Sequence, residues 1–107
     1  MVLDTKDLEG GVPVIYDDRQ VLAGGRYLQQ IRISVFSSSA DYPEGLRYSL
    51  CLIDRMTDEV VLLYDVHRGK GHHRHVRGKE ALYRYHDPAT LISDFQRDVE
   101  RIVQGEL

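Results

Sequence analysis

Between Arg26 and Phe36 the chain alternates. Tyr27, Gln29, Ile31, Ile33 and Val35 fall on one side, and Leu28, Gln30, Arg32, Ser34 and Phe36 on the other. The first side is the more apolar, which is the period-2 mark of a half-buried strand. Upstream, Val12 to Leu22 has apolar ends around Asp17-Asp18-Arg19 and predicts a first strand, with Pro13 restricting it to an edge or a strand start. Ala23-Gly24-Gly25 joins the two as a tight turn, because glycine takes positive φ without steric cost. Ser37 to Gly45 is a polar loop containing Pro43. Beyond it, Leu46–Asp54 and Glu59–Val66 read as a hairpin closed by Arg55 to Asp58, since Tyr48, Leu50 and Leu52 alternate and the second run is rich in strand formers.

The pattern then changes. Ala81 to His86 predicts a short last strand, with the histidine stretch linking the fourth strand to it. Asp87-Pro88 follows as an N-cap with proline at the first helical position, where its missing N–H does no harm. Leu91, Ile92, Phe95, Val99, Ile102 and Val103 keep helical spacing up to Gly105, a C-cap signal. Strands first and one helix last predict an α+β fold: an antiparallel sheet of about five strands with a C-terminal helix packed on one face. Residues 1–11 lack periodicity and end in Gly10-Gly11, so a flexible arm is expected there and one domain over 12–107.

Composition adds limits. A content of 42% hydrophobic and 29% charged residues is that of an ordinary globular domain. The apolar runs are too short for a membrane span, and the acidic N-terminus lacks a signal-peptide core, so a cytoplasmic location is expected. The single cysteine, Cys51, excludes an internal disulfide and reads as a small buried hydrophobe. The net charge of -3 hides an asymmetry. From His67 to Lys79 the chain places five of its 14 Lys and Arg and none of its 17 acids, and four of its five histidines lie between Asp65 and Tyr85. Such a basic, histidine-rich island commonly meets an anion.

Three chemistries compete for this stretch. In anion binding, Arg68-Gly69-Lys70-Gly71 would cradle a phosphate with backbone N–H groups and two cations, although the spacing is not that of a Walker loop. The bland alternative is a solvated hairpin tip. In metal binding, His67, His73 and His75 would act with Asp65 or Glu80, but the neighbouring Arg68, Lys70, Arg74 and Arg77 repel a dication; the expectation is therefore no metal or other cofactor. In metal-free phosphodiester cleavage, His73 and His75 would transfer protons, Lys70 and Arg74 would stabilise charge, and Glu80 would serve as an alternative base. Arg68 and Arg77 would add to an RNA-binding surface. Tyr83 would orient a phosphate or a histidine, and Tyr85 would stack a base, unless both tyrosines belong to the core. His86 reads as structural.

The series Tyr64, Asp65, His67, Gly69, Lys70, Gly71, His73, Arg74, His75, then Glu80, Tyr83 and Tyr85, then Leu91, Asp94, Phe95, Asp98 and Val99, resembles the TumE-type toxins of prokaryotic toxin–antitoxin pairs. The likeness runs from Tyr64 to the helix end, while the upstream strands are compatible but carry no specific motif. Val66 stands where that family often has Asn, and His72 where it often has Asp, which makes this loop more basic. The resemblance implies an intracellular toxin neutralised by a cognate protein antitoxin, typically one with a helix-turn-helix domain. It brings no assigned catalytic residues. RNA cleavage is therefore expected from the side-chain chemistry and by analogy with other toxins. The alternatives are a non-catalytic module that binds nucleic acid or protein, and a metal-dependent hydrolase. An exposed edge strand leaves room for a homodimer as well as for the antitoxin.

Overall fold

The computed structural model describes residues 14–35, 37–38 and 40–107. The arm expected over residues 1–11 and the strand start expected at Val12 and Pro13 lie outside the described residues. Six strands follow one another in chain order as an antiparallel meander: β1 (Val14–Leu22), β2 (Tyr27–Val35), β3 (Leu46–Asp54), β4 (Glu59–His67), β5 (Gly71–Val76) and β6 (Lys79–Leu82). The one α-helix among the described residues, α1 (Pro88–Val103), lies across one face.

Alternation decides which residues meet the helix. Ile31 and Ile33 of β2, Leu50 and Leu52 of β3 and Leu62 and Tyr64 of β4 all point to one side and are buried. Leu91, Phe95, Val99 and Ile102 cover them from α1, one buried position per helical turn. Phe95 meets the Tyr64 ring edge-on at 5.6 Å between centroids. Each such side chain contributes roughly 1.5–3 kcal/mol of burial, which is what fixes the helix to the sheet. The helix begins as its sequence predicts: the Asp87 carboxylate accepts from the Thr90 backbone N–H at 2.7 Å, and Pro88 opens the first turn. It ends at Gly105, whose φ of 78° lets the Glu106 N–H return to the Arg101 carbonyl at 2.8 Å.

At the far end of the sheet, Arg26 clasps the buried Asp54 with two bonds, Nε to Oδ1 at 3.2 Å and a terminal nitrogen to Oδ2 at 3.0 Å. This ties the start of β2 to the end of β3.

The last strand differs from its expected position. The histidine stretch is itself a strand, β5, rather than a connection, and β6 covers Lys79–Leu82 instead of Ala81–His86. The reason is a two-residue turn. Arg77 at φ 47° and Gly78 at φ 81° reverse the chain sharply enough for Val76 to pair with Lys79. After Leu82 the chain leaves the sheet and crosses to α1. No helix among the described residues is long and apolar enough to cross a membrane.

Candidate functional site: a histidine cluster on the open face

The face of the sheet opposite α1 is uncovered, and the register of β4, β5 and β6 sends alternate members of the histidine stretch to it. Asp65 pairs with His73 and Leu63 with His75, so these side chains stand together. His67, two places from Asp65, joins them, and Glu80 arrives from β6 opposite His75. Asp65 Oδ2 lies 3.1 Å from His67 Nε2, and Asp65 Oδ1 lies 3.5 Å from His75 Nε2. Glu80 Oε1 is 3.6 Å from His73 Nε2 and 4.0 Å from His75 Nε2. The rings of His73 and His75 are 6.4 Å apart between centroids, and those of His67 and His73 5.4 Å. Three imidazoles and two carboxylates therefore form one contiguous patch, built by period-2 geometry alone.

The cluster is only partly wet. The His73 side chain is 12% exposed and that of Asp65 16%, against 50% for His67. Asp65 Oδ1, His73 Nδ1 and His75 Nε2 are buried without a hydrogen-bond partner. Asp65 Oδ1 and His75 Nε2 face each other at 3.5 Å, and since buried polar atoms are normally paired, the patch keeps hydrogen-bonding capacity for a water, an ion or a ligand.

The intervening residues serve the other face. Arg74 pairs across from Tyr64, and its Nε donates to Asp98 Oδ2 at 2.7 Å and lies 3.2 Å from the Tyr64 hydroxyl. Tyr64 also donates to Asp98, so one buried carboxylate holds β4, β5 and α1 together. The hydrogen bond to Asp98 raises the Arg74 guanidinium further above its ordinary pKa, and burial raises that of the Tyr64 phenol. Tyr83 donates to Asp94 at 2.5 Å and packs edge-on against Tyr64. His72 stacks on Tyr85 at 4.8 Å with the rings 6° from parallel. Its Nε2 donates to the Glu44 carboxylate at 2.8 Å, which leaves Nδ1 to accept from Tyr48, also at 2.8 Å. That bond from His72 holds the Glu44 carboxyl below its usual range. Tyr83 and Tyr85 thus pack against the core rather than beside His73 and His75.

The loop cations are also occupied. Arg68 donates to Asp41 at 2.8 Å, and the Gly69 N–H donates to the Asp41 carbonyl at 3.2 Å, which clamps the β4–β5 turn onto the loop before β3. Arg77 Nε donates to the Leu107 carbonyl at 3.3 Å. Lys70, exposed in the turn, has no ion-pair partner among the described residues.

Two rows of cross-strand neighbours extend the open face beyond the histidines. One runs Asp17, Arg32, Ser49, Asp65, His73 and Leu82, the other Arg19, Gln30, Cys51, Leu63, His75 and Glu80. Their outer halves line a depression of about 530 Å³ that includes Arg32, Ser49 and Cys51. The Cys51 thiol is half-buried, which pushes its pKa up. Arg32 and Ser49 carry no motif, and only the register reveals that they share a row with His73.

The family model of toxin TumE matches residues 11–103. The chain belongs to the TumE toxin family. The match takes in every strand and the whole of α1, so the TumE likeness extends over the entire sheet and is not confined to the histidine stretch. No curated protein and no solved structure matches the chain significantly. As a member of a toxin family, it implies an antitoxin as partner.

Proposed function

We propose that this protein is the toxin of a toxin–antitoxin pair and that it binds and cleaves RNA by metal-independent acid and base chemistry at His73 and His75. The observation that supports this reading is the meeting of these two imidazoles with Glu80 on an uncovered sheet face. Cleavage of an RNA phosphodiester needs a base to take the 2′-OH proton as that oxygen attacks phosphorus. It also needs an acid to protonate the 5′-oxygen as its bond to phosphorus breaks. Two imidazoles a few ångströms apart supply one of each near neutral pH. Asp65, 3.5 Å from His75, positions that ring. Lys70, at the turn leading into β5, is the cation available to meet the phosphate. The partner in this reading is a cognate antitoxin of the helix-turn-helix type, and the site of action is the cytoplasm.

The test is cleavage of end-labelled RNA by purified protein in excess EDTA. Wild type should cleave, and His73→Ala and His75→Ala should each be slower by roughly 10²–10⁴-fold while relieving growth arrest. Intact RNA alongside a growth arrest that survives both substitutions refutes the proposal.

A further inference from the structure

We infer that Asp65, His67 and His73 form a binding site for one divalent transition-metal ion, with zinc the best fit, and that an ion bound there switches off the cleavage proposed above. One ligand atom from each of the three residues lies within 4.8 Å of the other two. Asp65 and His67 share a face because they are two apart on β4, and His73 faces Asp65 across the ladder, so backbone register brings the set together. A tetrahedral zinc shell places its donors roughly 3.4 Å apart, given metal–ligand bonds of about 2.1 Å. His67, half exposed, is free to close that gap.

Two further observations point to a cation. The atoms left buried and unpaired in the patch, Asp65 Oδ1, His73 Nδ1 and His75 Nε2, are of the types that offer lone pairs. A bound cation would draw on such lone pairs, and His75 Nε2, 3.5 Å from Asp65 Oδ1, is placed to act as a fourth ligand. The electrostatic objection raised by the neighbouring arginines also falls away in three dimensions. Arg74 is bound to Asp98 on the opposite face, Arg68 to Asp41, and Arg77 to the Leu107 carbonyl. Of the four cations Lys70 alone, exposed in the β4–β5 turn, keeps no ion-pair partner among the described residues, and against it stand the two acids in contact with the histidines, Asp65 and Glu80. Imidazole with carboxylate is a borderline donor set that suits zinc, whereas magnesium and calcium take oxygen ligands.

The inhibitory consequence rests on the cleavage reading, since an ion held by His73 removes the lone pair that would accept a proton. The binding claim does not. Metal-stripped full-length protein should take up one Zn²⁺ per chain in competition with a chromophoric chelator. His67→Ala should weaken uptake at least about tenfold, and Asp65→Asn should weaken it as well. Co²⁺ should give a visible absorption band with wild type that His67→Ala loses, and circular dichroism will show whether that variant is folded. In the RNA assay, Zn²⁺ should inhibit wild type reversibly with EDTA and leave His67→Ala active. Uptake undiminished in both variants, or cleavage stimulated by Zn²⁺, overturns the inference. Zinc uptake by a wild type that cleaves nothing in EDTA supports the site and overturns the cleavage reading instead.

Discussion

Arg74 stands between His73 and His75 in the sequence, yet its Nε donates to Asp98 of α1 at 2.7 Å, on the far side of the sheet from both. Its charge holds the helix in place. Truncating one partner of a buried pair leaves the other uncompensated, so Asp98→Ala is expected to cost about 3 kcal/mol in urea unfolding. Arg74→Ala should lower the midpoint in the same direction and couple to Asp98→Ala in a double-mutant cycle. An Arg74→Ala protein with wild-type stability and lost RNA binding would show instead that the guanidinium contacts phosphate.

Lys70 gives the contrasting case, an exposed cation with no ion-pair partner among the described residues. Lys70→Ala should leave the melting temperature unchanged. It should weaken RNA binding at low salt, with the slope of log affinity against log salt shallower by roughly 1. An unchanged slope would remove Lys70 from the phosphate contact.

Phe95 is fully buried and packs against the Tyr64 ring. Phe95→Ala should destabilise the fold by roughly 3–5 kcal/mol. Because α1 lies on the face opposite the histidines, any activity lost should follow the folded fraction. Thermal melts compared with specific activity at 15 °C and 37 °C would test this.

Acid should unfold the protein through a small set of carboxylates. Asp54 is held below its usual pKa by the bond from Arg26, Glu44 by the bond from His72, and Asp87 by the N–H of Thr90. A depressed folded-state pKa stabilises above the unfolded value, near 4, and that contribution is lost as pH falls through the folded value. As far as these three groups decide it, stability should hold steady from neutrality to about pH 5 and fall below that. Asp54→Asn should flatten the acid limb of a urea-midpoint profile. An acid limb unchanged in that variant would exclude the Arg26–Asp54 clasp as its source.

Much of the fold can be read from the chain. Strong alternation in β2 and β3, the Asp87-Pro88 start and the Gly105 stop of α1 are local signals, and each sits where its residues predict. The arrangement of the basic island is less accessible because it depends on register. Charge counted along the sequence adds Arg68, Arg74 and Arg77 to the histidines, whereas the sheet sends Arg74 inward and pairs the other two with the loop before β3 and with the chain end. Conversely, sequence nearness names Asp65 and Glu80 as possible partners of the histidines, and the β4–β5 and β5–β6 ladders show which ring each acid meets. The Arg77-Gly78 turn produced the largest difference. It relies on an arginine at positive φ, a conformation its residue type does not advertise.

The turn between β4 and β5 has one further consequence. Its length sets the phase of β5, and a strand that slips by one residue exchanges its two faces. With Lys70 deleted and the pairing shifted by one place, His72 and Arg74 would take the outward positions, and His73 and His75 would turn toward α1. If cleavage takes place at His73 and His75 as proposed, a single codon gained or lost at this turn is therefore predicted to abolish it with every histidine still encoded.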